Sequence, residues 1–132
     1  MSGWQRTRAR YRLVHEVAAE CLRGGPEALS QRKAAIEAEY GDVEQFLRDV
    51  QRRYRMAVEA RLDAVAESPD GEASARVAEA LAAVAADHAG LLSILTARGD
   101  DPALAEGEAR LRGLVRAFGG RSDAEPAPGA RG

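Results

Sequence analysis

From Val77 to Leu95 the chain is apolar on almost every side a helix could present. Val77, Leu81, Val84, His88, Leu91 and Leu95 recur at intervals of three and four, which is the period of an α-helix. Ala78, Ala80, Ala82, Ala83, Ala85, Ala86, Leu92 and Ile94 make the remaining faces apolar as well. A helix of this kind must be covered on more than one side. It is therefore expected either at the centre of a helical bundle or in an interface between two copies. No stretch of the chain alternates apolar and polar residues over four or more positions, so no strand is expected.

The rest of the chain has the same period, broken by residues that stop and start helices. A first helix is expected from Trp4 to Arg23 on the stripe Trp4, Tyr11, Val14, Ala18, Cys21, ended by Gly24 and Gly25. A second follows from Pro26 to Tyr40, with Ala28, Leu29, Ala35 and Ile36, closed by Gly41. Asp42, with Gln45 three residues on, fits a capping box for a third helix reaching Glu67. Its stripe is Val43, Phe46 and Leu47, Val50, Tyr54, Ala57 and Val58, Leu62, Val65, and at 1.5 Å per residue it spans roughly 38 Å. Ser68-Pro69-Asp70-Gly71 reads as a turn, and a fourth helix is expected from Glu72 to Arg98. Asp101-Pro102 opens a fifth, with Leu104, Leu111, Leu114, Val115 and Phe118 on its face. The fold class is thus all-α: an antiparallel bundle of about five helices, two long and three shorter, over residues 4–118. Residues 119–132, rich in Gly, Arg, Ser, Pro and acids, are expected to be a disordered tail.

A length of 132 residues suits one domain. Only 5% of the residues are aromatic, so the core must be built from Ala, Val and Leu, which lets helices approach and leaves little room for a large pocket. The net charge of −2 gives no overall bias toward polyanions. The halves differ: residues 1–61 carry 12 bases and 9 acids, residues 62–132 carry 7 and 12. All the bases but Lys33 are arginines. Cys21 is the only cysteine, which excludes an internal disulfide and a cysteine-rich zinc site. The first residues lack a signal-peptide core, and Glu79, Asp87 and His88 interrupt the most apolar stretch, so a cytoplasmic protein without a membrane span is expected.

Side chains that could carry chemistry are few. His88, on the leucine stripe beside Asp87, is the candidate for a haem-type ligand or a buried base, against the plainer reading of a core histidine. His15, beside Glu16, is read in the same way. A di-iron site needs Glu three residues before each histidine; Arg12 and Ala85 stand there instead. Cys21 lies on the apolar stripe of the first helix and reads as core, and Ser93 is badly spaced from His88 for nucleophilic work. No catalytic residue, metal or cofactor is expected.

The arginines form two groups, Arg6, Arg8, Arg10 and Arg12 in the first helix and Arg48, Arg52, Arg53 and Arg55 in the third. Both could contact phosphate, or be solvated and paired with the acids nearby. Ile36, Tyr40, Gly41, Leu47 and Val50 fall near helix-turn-helix positions, but Glu37 and Asp42 depart from that pattern. The leading expectation is a non-enzymatic bundle that acts by protein–protein contact, self-associating as a homodimer. Its surface would be Trp4, Tyr11 and Tyr54 with Val77, Leu81, Val84, Leu91, Leu92 and Leu95. A nucleic-acid-binding regulator using Arg48, Arg52, Arg53 and Arg55 is the alternative, and a ligand or haem carrier at His88 a second one.

Overall fold

The computed structural model describes residues 2–67 and 72–123, with side chains described to Gly119. The expected turn at 68–71 and residues 124–132 lie outside the described residues. Among the described residues the fold is all-α: α1 (Gly3–Gly24), α2 (Glu27–Gln31), α3 (Lys33–Tyr40), α4 (Val43–Glu67), α5 (Ala73–Asp87), α6 (Ala89–Ala97) and α7 (Ala105–Asp123), with a 3-10 turn at Pro102–Leu104 before α7. The helix count therefore differs from five.

Caps explain several of the boundaries. Ser2 and Gln5 form a reciprocal capping box, Gln5 N–H donating to Ser2 Oγ at 3.1 Å and Ser2 N–H to Gln5 Oε1 at 2.9 Å, so α1 begins ahead of Trp4. Gly25 (φ 95°) and Gly41 (φ 92°) take the left-handed conformation that ends α1 and α3. Asp42 accepts from Gln45 N–H at 2.8 Å and Asp101 from Ala103 N–H at 2.9 Å, as expected of N-caps. The last helix runs five residues beyond Phe118, to Asp123, carried by backbone hydrogen bonds where the apolar stripe has already ended.

Two expected helices are each broken in two. The second divides at Arg32 into α2 and α3. There the Arg32 guanidinium reaches back to α1, donating to Glu20 at 2.8 and 2.9 Å and to Glu16 at 3.0 Å. The fourth divides at His88, and α5 and α6 meet at 89°. His88 N–H still donates to Val84 O (2.8 Å) and His88 O still accepts from Leu92 N–H (3.0 Å). The two halves bury against different neighbours: α5 against α4 and α7, α6 against α1 and α4. A straight rod could not reach both α7 and α1.

The bend works because Gly90 has no side chain. A Cβ on Gly90 would lie 2.9 Å from Ala18 Cβ and 3.0 Å from Ala18 O, so the α6 backbone rests directly on α1. Around this contact the core closes. Val14, Val17, Ile36, Phe46, Leu47, Val50, Val58, Leu62, Ile94 and Leu104 are essentially without solvent contact. Each such side chain contributes on the order of 1.5–3 kcal/mol. Gly90→Ala should destabilise the fold by about 1–3 kcal/mol in urea denaturation, since overpacking against backbone outweighs the gain in helix propensity; unchanged stability would show that α1 and α6 can separate freely.

Candidate functional site

Most of the apolar residues expected to form an interaction surface are inside the molecule. Val77, Val84, Leu91 and Leu95 are buried in the core, Leu81 and Leu92 pack partly buried against it, and Tyr54 is 8% exposed. This corrects the expected placement of the surface: the valines and leucines of 77–95 pack against α1, α4 and α7 of the same chain, and only alanines (Ala78, Ala82 and Ala86) are left exposed among its apolar residues. Trp4 and Tyr11 behave oppositely. They are 66% and 57% exposed, and Leu22 on the same helix is 57% exposed. The buried face of α1 is instead Leu13, Val14, Val17, Ala18 and Cys21.

On the outer side of α1, Trp4, Arg8, Tyr11, His15 and Leu22 follow helical spacing and form one row. The Arg8 guanidinium stands 4.6 Å from the centre of the Trp4 ring, and the Tyr11 and His15 rings are 4.2 Å apart. Arg53 approaches Tyr11 from α4 at 5.8 Å. Burial first, then the charges of Arg53 and His88, lowers the His15 pKa. A cleft of about 750 Å³ runs along this face, lined by Tyr11, His15, Arg8, Arg12 and Glu16 among others.

The arginines of α4 are not one group. Arg53 turns toward α1 and is ion-paired with Asp49 (3.3 Å), whereas Arg48 and Arg55 lie along another face, with Arg52 between the two and also paired with Asp49. Asp49 is the hub on the Arg53 side, accepting from the Tyr40 hydroxyl at 2.6 Å and from Arg52 at 2.8 Å. Arg10 from α1 stacks on Tyr40 at 4.5 Å and donates to Glu39 O at 3.3 Å. Burial alone would raise the Asp49 carboxyl, but the hydrogen bonds from Tyr40 and Arg52 and the Arg53 and Arg52 charges outweigh it and hold it below its ordinary range. Burial and the Asp49 hydrogen bond push the Tyr40 phenol far up. Tyr40 and Arg53 therefore serve structure in the region read as a possible helix-turn-helix.

Arg48, Arg52 and Arg55 face Arg110 of α7 across a cleft of about 190 Å³. Nothing in the spacing of the sequence pointed to Arg110, because it arrives by helix packing. Gly107 brings it there: a Cβ on Gly107 would overlap the Gln51 side-chain amide, so α7 sits hard against α4. Gln51, the one buried polar side chain among the described residues, donates from Nε2 to Leu104 O at 2.9 Å.

The remaining candidates have plain structural settings. His88 is half-buried at the α5–α6 bend and not in the middle of a continuous helix. Cys21 is buried, and burial followed by Glu20 raises its thiol pKa, the opposite of an activated nucleophile. Among the described residues no three His, Cys, Asp or Glu side chains gather as metal ligands. No single helix among them is long and apolar enough to cross a membrane. The chain matches no protein-family model, and comparison with curated proteins and with solved structures finds no similar one.

The Asp49 geometry predicts a pH dependence. A carboxyl whose pKa is lower in the folded state contributes stability that is full above its unfolded pKa of about 3.9 and is lost as pH falls through the folded value. Asp49→Asn should cost about 1–3 kcal/mol at neutral pH and flatten the acid limb of the stability profile below about pH 4. Chemical denaturation followed from pH 7 to pH 2 measures both; an acid limb as steep as that of the parent protein would refute this role for Asp49.

Proposed function

We propose that this protein is a non-enzymatic helical interaction protein that self-associates through the outer face of α1. The frame that carries this face is a bundle in which α4 and α5 run antiparallel, tied by Arg61–Asp87 (2.8 Å) at one level and by Arg76 donating to Val65 O at another. One observation carries the reading: Trp4, Tyr11 and Leu22 stand exposed in a row on one helix, whereas among the other described large apolar residues only Met56 of α4 is comparably exposed. Large aromatic and aliphatic side chains presented together are the usual anchors of a protein–protein contact.

A second copy is the occupant that the charge pattern supports. The N-terminal half of α1 carries Arg6, Arg8, Arg10 and Arg12 and no acid, while Glu16 and Glu20 follow further along. In an antiparallel pair of α1 helices, Arg12 meets Glu16 of the second copy and Arg8 meets Glu20. Trp4 then stands within one turn of Leu22, and Tyr11 within one turn of His15 near the two-fold axis. The register repeats itself under the two-fold, as an isologous interface requires. It also sets the arginine-rich end of each helix beside the negative C-terminal end of the other. Arg32 already contacts both glutamates, but one guanidinium between two carboxylates leaves a net negative charge for the partner's arginines.

Sedimentation equilibrium at micromolar concentration should give a species of twice the 14.1 kDa chain mass. The double variant Trp4→Ala, Tyr11→Ala should associate at least tenfold more weakly, the loss of roughly 1.4 kcal/mol or more expected of an anchor pair. Its helical circular dichroism should be unchanged, because both rings are outside the core. A monomeric parent protein, or a double variant that still dimerises fully, would overturn the proposal.

A further inference from the structure

We propose that the cleft between α4 and α7 is a binding site for a small phosphate-bearing anion, held by Arg48, Arg52, Arg55 and Arg110. Arg48, Arg52 and Arg55 succeed one another at four- and three-residue spacing on α4, and Arg110 faces them from α7. Like charges at such spacing on a helix surface repel, and a fourth guanidinium brought in by packing adds to this. Glu106 is the only carboxylate among the described residues lining the cleft. Asp49, beneath Arg52, is already engaged by Tyr40, Arg52 and Arg53. Arg48, Arg55 and Arg110 make no ion pair with any described residue, whereas Arg112, two positions beyond Arg110, reaches Glu108 at 4.0 Å.

The ligand chemistry follows from the donors and the shape. Arg48, Arg55 and Arg110 line one concavity, with Arg52 at its edge already engaged by Asp49, and planar guanidiniums match the oxygens of a phosphoryl group, which can take two parallel N–H donors from an arginine. The floor contributes no competing carboxylate: Ala103, Gly107 and the already hydrogen-bonded Gln51 lie there. A small anion fits better than the backbone of a nucleic acid. The cleft holds about 190 Å³. Beyond it, acids interrupt the surface on both sides: Glu44 and Glu59 on α4, and Asp100, Asp101 and Glu108 toward α7. A long polyanion would have to cross them. The site is on a different helix face from the α1 row, so it stands whether or not the chain dimerises.

Pyrophosphate is the probe. Titrated at low ionic strength against the full chain, with sodium chloride of equal ionic strength as reference, it should bind saturably in calorimetry and raise the Tm. Arg55→Gln and Arg110→Gln should each weaken it about tenfold or more, the loss of a charge-assisted hydrogen bond. Arg116→Gln, also on α7 but outside the cleft, should leave it unchanged. Glu106→Gln should tighten binding, an effect that a merely structural Glu106 would not produce. The proposal is overturned if pyrophosphate gives no saturable signal, if Arg55→Gln and Arg110→Gln bind as the parent does, or if a duplex oligonucleotide binds where pyrophosphate does not.

Discussion

The arrangement of this molecule turns on the contact between Gly90 and Ala18. Because Gly90 carries no side chain, the backbone of α6 lies against α1, at a separation that a single added carbon would violate. That closeness requires the chain to change direction by 89° at His88, and the change of direction lets one apolar segment cover two sides of α4. The aliphatic stripe of α5 then faces α4 and α7, while that of α6 faces α1 and α4. A core with few aromatics is held together in this way by close helix approach, since small side chains gain their dispersion energy only when backbones come near.

The same packing sorts the polar groups. With its inner face committed to α6, α1 turns Trp4, Tyr11 and Leu22 outward, and no described element covers them. A second glycine, Gly107, does for α7 what Gly90 does for α6: it lets the helix press on Gln51 of α4 and carries Arg110 to the arginines already there. Two opposite electrostatic settings result on α4. On one flank Asp49 gathers Tyr40, Arg52 and Arg53 into a hydrogen-bonded cluster that joins α3 to α4. On the other, Arg48, Arg55 and Arg110 line a cleft with Arg52 at its edge, and Glu106 is the one carboxylate among its described lining residues. The first is a structural tie and the second a place with unbalanced charge, although the sequence writes both as a single run of arginines.

Some of this was readable from the residues alone. Gly25, Gly41, Asp42 and Asp101 act where their chemistry said they would, because left-handed φ and side-chain capping are local properties. The capping box at Ser2 and Gln5 was equally legible and places the start of α1 before Trp4. Trp4 and Tyr11 share the helical period of Val14, Ala18 and Cys21, yet only the last three are buried, for a simple reason. Leu13, Val14 and Val17 define a neighbouring face of the same helix, and period alone cannot say which of two adjacent faces is turned inward. The bend at His88 was invisible because Val84 and Leu91 are seven residues apart, a spacing that fits a straight helix as well as this broken one.

The sequence by itself determined that the chain is helical, where most helices begin and end, and that its core is mainly aliphatic. These follow from periodicity, capping and composition, which act within a few residues. Only the tertiary structure decided which apolar residues are inside, that α5 and α6 part at His88, and that Arg110 joins Arg48, Arg52 and Arg55. Each of those depends on which backbones can come close. That is a property of two distant glycines meeting particular partners, Ala18 and Gln51, across the fold.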